Sequence, residues 1–418
     1  MQYVISAFFI LTFIIVFLCT NSWFSIARIH TTMWLFLYIG YCSCSVGYAL
    51  EGNGVFWLIA SCFFILFGEK IGEQGVVIGR HSLQPFNIQS KSRENFWIIV
   101  IIVFSLLSII GNFAEIYAYG FNLKDLTSSS RILNMSNKIA IMRYSGLGGI
   151  SAVITLLQTQ KYIACLASGY YFLLCKKKSR RLIAGLPFIP VILNVLIENT
   201  KAGVIACFVL FLIGLIIGYA SINRRYLKFT IKSSLKYIIL FCAIIVLLVF
   251  AMMIRLGEIS SKTFDIVSKK FVVYAFGNIQ AFDVWLSKLY CFDGLEFGIK
   301  TFMAPFNLIG IVSREQGVYG FIDGVASNVF SGYRGVIEDF GVIGGLVFVM
   351  LLGCVGGRST KRIIKYPTKI MPKIVYLFVS FFVIYSYIIS PYIYSSFCIM
   401  IIEFAVLLYI EKQKYFNN

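Results

Sequence analysis

Stretch after stretch of this chain runs for about 20 residues almost without charge, the length an α-helix needs to cross the hydrocarbon of a bilayer. The first begins at Gln2 and includes Phe8-Phe9-Ile10-Leu11-Thr12-Phe13-Ile14-Ile15-Val16-Phe17-Leu18. Comparable runs fall at roughly 31–49, 54–68, 97–114, 152–175, 182–197, 202–220, 236–254, 338–356, 374–390 and 393–410. Composition agrees: 59% of residues are hydrophobic and 13% charged, against roughly 45–50% and ~25% in soluble domains. A soluble core could not hide that much apolar surface. The expectation is an all-α, polytopic integral membrane protein of about eleven transmembrane helices, residues 1–418 forming a single membrane domain. Met1-Gln2 offers no basic start and no small-residue cleavage site follows, so the first run reads as a retained span. Residues 144–175 would make a helix of about 48 Å, too long for one untilted span. The opening Gly146-Leu147-Gly148-Gly149 is therefore assigned to a surface or re-entrant piece.

The formal net charge is +19. The basic residues sit in short clusters between apolar runs and are not interleaved with exposed aromatics, which speaks for topology and against nucleic acid. With the carboxyl terminus in the cytoplasm, the inner flanks hold Arg28, Lys70, Arg80, Lys91, Arg93, Lys176 to Lys178, Arg180, Arg181, Arg224, Arg225, Lys228, Lys232 and Lys236. They also hold Arg358, Lys361, Arg362, Lys365, Lys369, Lys373, Lys412 and Lys414. The positive-inside bias then puts the amino terminus outside. Two extracytoplasmic segments remain, 115–143 and a large loop at 255–337 whose aromatic content and pattern predict short helices, with amphipathic helix over 262–292 and a turn-rich stretch over 303–332. The 11 cysteines lie in or beside apolar runs, Cys291 excepted, and show no metal-ligand spacing; a disulfide framework is not expected.

Both histidines, His30 and His81, fall on the cytoplasmic side of this topology. An outward-facing site would then work with carboxylates for proton transfer and with arginine or lysine for anions. The densest candidate stretch runs from Ser327 to Gly341, where Arg334 and Glu338 are four apart and share a helical face. A plain interfacial ion pair, with Asp339 as a first-turn acid, is the competing reading. Elsewhere, Arg131, Lys138 and Arg143 accompany Glu115 in the first outer segment. Lys161, beside Gln158 and Gln160, lies shallow enough to snorkel, Lys201 and Glu198 share a tight outer turn, and Asn194 and Glu403 need buried partners.

Taken together, the chain resembles the Wzy-type oligosaccharide repeat-unit polymerases, which build O-antigen and related surface polysaccharides. The resemblance rests on Tyr274, Gly277, Ala281-Phe282-Asp283, Thr301-Phe302, Asn307-x-x-Gly310, Asn328, Tyr333-Arg334 and Asp339-Phe340-Gly341-x-x-Gly344, together with many spans and one large outer loop near the carboxyl end. It implies a metal-independent glycosyltransferase, without cofactor, in a fold similar to the GT-C membrane class, at the outer face of a bacterial cytoplasmic membrane. The donor would be a glycan on undecaprenyl pyrophosphate and the acceptor a lipid-linked repeat unit. A chain-length regulator and a flippase of the same pathway would be partners, alongside membrane lipids.

Such chemistry needs cations for the leaving pyrophosphate: Arg143, Arg314 and Arg334 first, then Lys161, Lys201 and Arg255. It needs a carboxylate for the acceptor hydroxyl, chosen among Asp283, Asp323, Glu338 and Asp339, with Arg334 counted in the catalytic set. Sugar contacts would come from Tyr274, Trp285, Tyr319, Asn328 and Tyr333. In the turn Asn199-Thr200-Lys201, related proteins often carry arginine; lysine keeps the charge and loses the fork. The alternatives are a lipid-linked oligosaccharide flippase, an O-antigen ligase, or a non-catalytic scaffold.

Overall fold

The computed structural model describes residues 2–20, 22, 25–44, 49–76, 91–144, 150–175, 177–198, 201–226, 245–246, 248–250, 252–254, 256, 260–288, 294–313, 327 and 329–416, the side chains of 143 and 144 excepted. Over these residues the protein is all-α. The helices are α1 Gln2–Cys19, α2 Ile26–Ser43, α3 Asn53–Gln74, α4 Lys91–Ala118, α5 Ser129–Tyr144, α6 Ala152–Leu174, α7 Phe188–Glu198 and α8 Lys201–Asn223. They continue as α9 Ser261–Phe276, α10 Asn278–Ser287, α11 Met303–Leu308, α12 Gly332–Lys365, α13 Ile370–Tyr385 and α14 Ser395–Tyr415. Among the described residues six helical segments are long and apolar enough to cross a membrane: α1, α3, α4, Lys178–Glu198 (which ends in α7), α8 and α12. This is a polytopic membrane protein.

Helices also occupy 26–43, 152–174, 370–385 and 395–415, where the apolar runs predict spans, yet these are shorter or more polar. The cause is visible in their sequences: Arg28 and His30 in α2, Gln158, Gln160 and Lys161 in α6, Glu403 and Glu411 in α14. The predicted span at 236–254 lies mostly outside the described residues. Across the stretch 262–292, whose pattern predicts amphipathic helix, lie two helices, α9 and α10, parted at Gly277.

The chain forms two compact units. The first comprises residues 1–86, 219–228 and 272–405. Its spine is the pairing of α3 with α12. Gly68 and Gly72 on one helix, and Gly353 and Gly357 on the other, each stand where a Cβ would strike backbone of the partner, at Met350, Cys354, Ile65 and Glu69 respectively. Two facing Gly-x-x-x-Gly pairs let the main chains touch, which is how helices associate where lipid removes the hydrophobic drive. Partner numbers rise together, from Trp57 with Val342 to Gly72 with Cys354, so the helices run parallel. At the far end Glu69 accepts from Ser25 Oγ (2.7 Å) and Ala27 N (2.8 Å). Arg28, counted above as a topology charge, is buried. It caps the end of α1 through the carbonyls of Phe17 (2.6 Å) and Thr20 and through Thr20 Oγ1 (2.8 Å).

The second unit comprises residues 87–218, 229–271 and 406–418. Here α4 packs on α6, with Gly111 against the backbone of Leu157 and Gln158. A sealed ion pair joins Arg93 Nε to Glu411 Oε1 at 2.6 Å; Trp97 Nε1 donates to the same oxygen at 2.7 Å and Tyr170 OH to Oε2 at 3.2 Å. Lys161 does not snorkel. It is buried, because Asn194 on α7 brings a carbonyl oxygen to 2.7 Å of its ammonium and Asn194 in turn donates to Glu198 (2.9 Å). Glu115 is likewise drawn out of the outer segment into α4, accepting from Gln158 (2.5 Å).

Candidate functional site

Gly341 is the hinge on which the first unit's site is built. It breaks α12 with φ 77° and ψ 171°, a region essentially reserved for glycine. Ile337 and Val336 come within 3.2 and 3.7 Å of the position a Cβ would take on Gly345. In a straight helix residues 337 and 345 would be about 12 Å apart along the axis, so 332–340 folds back on the helix that follows. The result is a helical hairpin whose tip carries Glu338 and Asp339.

That tip is bolted to residues 294–302. The backbone N–H groups of Glu296 and Phe297 donate to the carbonyls of Glu338 (3.3 Å) and Asp339 (3.2 Å), while those of Lys300 and Thr301 donate to the Asp339 carboxylate (2.9 and 2.7 Å). The base of the short arm is held by Ser331 and Gly332, which both donate to the Ser386 carbonyl (3.2 and 2.6 Å). The Ser386 carbonyl at the end of α13 is thereby satisfied from within the protein.

Arg334 lies one turn from Glu338 on the short arm and donates from Nε to its Oε1 at 2.9 Å. Its guanidinium sits 4.5 Å from the Phe330 ring centroid and 5.2 Å from that of Trp285. The side chains of Arg334 and Glu338 are 13% and 22% exposed, so the pair is walled by aromatics yet open on one side. Beside it, Lys300 Nζ lies 3.4 Å from Glu296 Oε1.

Asp283 is fixed elsewhere in the same unit. Its carboxylate accepts from the backbone N–H groups of Glu51 (2.7 Å), Gly52 (3.0 Å), Gly54 (2.8 Å) and Val55 (3.2 Å), closing the amino end of α3. Two of the four carboxylates weighed as proton acceptors, Asp283 and Asp339, thus spend their oxygens on main-chain amides. Glu338 keeps access to solvent, and Asp323 lies outside the described residues. Trp285, expected as a sugar contact, is buried and lies against the arginine as a flat wall, while Tyr274 stands exposed on α9. Tyr333 is fully enclosed by His30, Trp34, Trp57 and Phe382, at centroid distances of 5.7, 5.9, 5.3 and 6.2 Å, and presents no face to a ligand. His30, expected to be remote, is buried against the residue next to Arg334; the folded-back arm carries Tyr333 down to it.

Lys161 and Lys201 belong to the second unit. Arg143 stands in the last turn of α5 with its side chain outside the described set, and Arg255, Arg314, Tyr319 and Asn328 also lie outside it. Phe330, Glu296 and Lys300 were missed as site residues. The spacing of Glu296 and Lys300, four apart like Arg334 and Glu338, was the available signal.

Fold and site together define a polytopic, all-α membrane protein with a half-open arginine–carboxylate cluster on a helical hairpin. No protein-family model, no curated protein and no solved structure matches this chain.

Proposed function

We propose that the protein is a membrane glycosyltransferase of the oligosaccharide repeat-unit polymerase kind. It would extend a glycan carried on undecaprenyl pyrophosphate by transferring it to a new lipid-linked repeat unit. The acceptor hydroxyl attacks the donor's anomeric carbon, the bond from that carbon to the pyrophosphate oxygen breaks, and undecaprenyl pyrophosphate leaves with the electron pair. In this reading about eleven spans form a GT-C-like fold in a bacterial cytoplasmic membrane, with the amino terminus outside, the carboxyl terminus inside and the hairpin tip facing outward.

The observation that carries the reading is the pair Arg334–Glu338, partly exposed between Trp285 and Phe330. A guanidinium meets the charge that grows on a departing pyrophosphate. Glu338 is a carboxylate able to take the acceptor's proton, and the buried rings of Trp285 and Phe330 hold the guanidinium beside it. Asp283 and Asp339 act as positioning residues, one docking α10 onto α3, the other fixing the 294–302 loop.

Purified protein mixed with lipid-linked repeat units, without nucleotide or added metal, should yield longer lipid-linked chains. A product one unit long throughout contradicts the proposal. The transport alternative draws on the buried ionisable groups of the second unit, Arg93, Glu115, Lys161 and Glu411; it predicts movement of lipid-linked oligosaccharide between leaflets with no elongation.

A further inference from the structure

Lys300 carries no motif, yet the fold fixes its root more firmly than that of most loop lysines. Its own N–H and that of Thr301 both end on the buried Asp339 carboxylate, and the Thr301 carbonyl accepts from Ser390 Oγ at 2.6 Å. Four residues earlier, Glu296 is tied through its N–H to the Glu338 carbonyl. Two ion pairs therefore share one anchored tip, Arg334 with Glu338 and Lys300 with Glu296.

The two pairs differ in exposure. The side chains of Lys300 and Glu296 are 23% and 43% exposed, and their contact is a single one at 3.4 Å. Exposed pairs of this kind are held weakly. The two pairs balance, two cations against two carboxylates, and the buried Asp339 adds a third carboxylate, so the tip as it stands offers an anion no net pull. A diphosphate carries more charge than one guanidinium can meet, and a flexible ammonium on a fixed root is the nearest further cation on this tip.

We propose that Lys300 is a second diphosphate contact and that Glu296 is a built-in competitor, an anion that holds Lys300 until the substrate's diphosphate displaces it. This rests on the polymerase reading. It makes a prediction that a merely structural pair does not: deleting the Glu296 charge should tighten binding, because the cluster then gains one net positive charge.

The test uses the purified full-length protein in detergent, a short-chain polyprenyl diphosphate as probe and the matching polyprenol as its uncharged control. The expected result is that K300M weakens diphosphate binding by roughly tenfold, K300R restores most of it, and E296Q tightens it by about threefold, all sensitive to salt. If R334M weakens binding while K300M and E296Q match the native protein, Lys300 is not a contact and the polymerase reading stands. Weakened binding by E296Q makes Glu296 a structural residue and overturns the competitor role. Equal affinity of the native protein for diphosphate and alcohol removes the reading and this inference together.

Discussion

Two of the protein's arginine–glutamate pairs, Arg93–Glu411 and Arg334–Glu338, have similar geometry and opposite character. In the second unit Arg93 and Glu411 are 6% and 1% exposed, and Trp97 and Tyr170 also donate to the carboxylate. In the first unit Arg334 and Glu338 are 13% and 22% exposed and flanked by ring faces, which exclude water without consuming donors. The chemistry of the side chains is the same; the surroundings decide the role. A pair whose carboxylate also accepts from indole and phenol is a lock joining α14 to α4 within its unit, whereas a pair walled by aromatics on a folded-back arm can exchange its partner.

This contrast can be broken at either end. The largest effect is expected for Glu411→Ala, which leaves Arg93 buried without its counter-charge, at a cost of about 3–5 kcal/mol; loss of folded protein in a thermal detergent-stability assay checks it. Next is Arg334→Ala, or Arg334→Lys, which removes the fork. Polymerisation should fall by at least about a hundredfold, equivalent to roughly 3 kcal/mol of transition-state stabilisation, with insertion and melting temperature unchanged. Unchanged glycan length would sink that assignment.

A smaller effect is expected at Gly341. Alanine there meets a φ of 77° that side chains avoid, costing about 1–3 kcal/mol. The hairpin should loosen and activity should drop while the α3–α12 seam stays formed, which separates hairpin geometry from global stability. Smallest of all, His30→Phe keeps a ring against Tyr333 but adds bulk in a closed site, and should cost toward the lower end of about 1–3 kcal/mol with activity retained. A dead His30→Phe variant would give that imidazole a chemical role.

Much of the helical layout was legible because apolar runs of span length carry their own signal. The starts of α1, α6 and α8 follow the runs closely, and Arg334–Glu338 was readable from spacing alone. What hid was anything set by a second segment. The partner of Lys161 is 33 residues away on α7, and snorkelling was the reasonable expectation for a lysine considered by itself. Asp283 and Asp339 look like free acids until the amides of 51–55 and 300–301 arrive at their oxygens. The reversal at Gly341 was unreadable because the sequence is equally compatible with a helix entering straight from the outer loop. The contacts of Ile337 with Gly345 and of Phe340 with Phe348 reveal the fold-back, and with it the burial of Tyr333 and the approach of His30. The facing glycine pairs at 68 and 72 and at 353 and 357 were present in the sequence and would have paired α3 with α12 had the spacing been used.

The proposed polymerase function requires a hairpin tip that faces away from the cytoplasm. Glu296, the most exposed member of the cluster, is the place to ask. With Glu296→Cys compared against the native cysteines, a membrane-impermeant maleimide should label the variant in intact cells with its outer face open to the reagent. Labelling that appears only after the membrane is permeabilised would contradict the account.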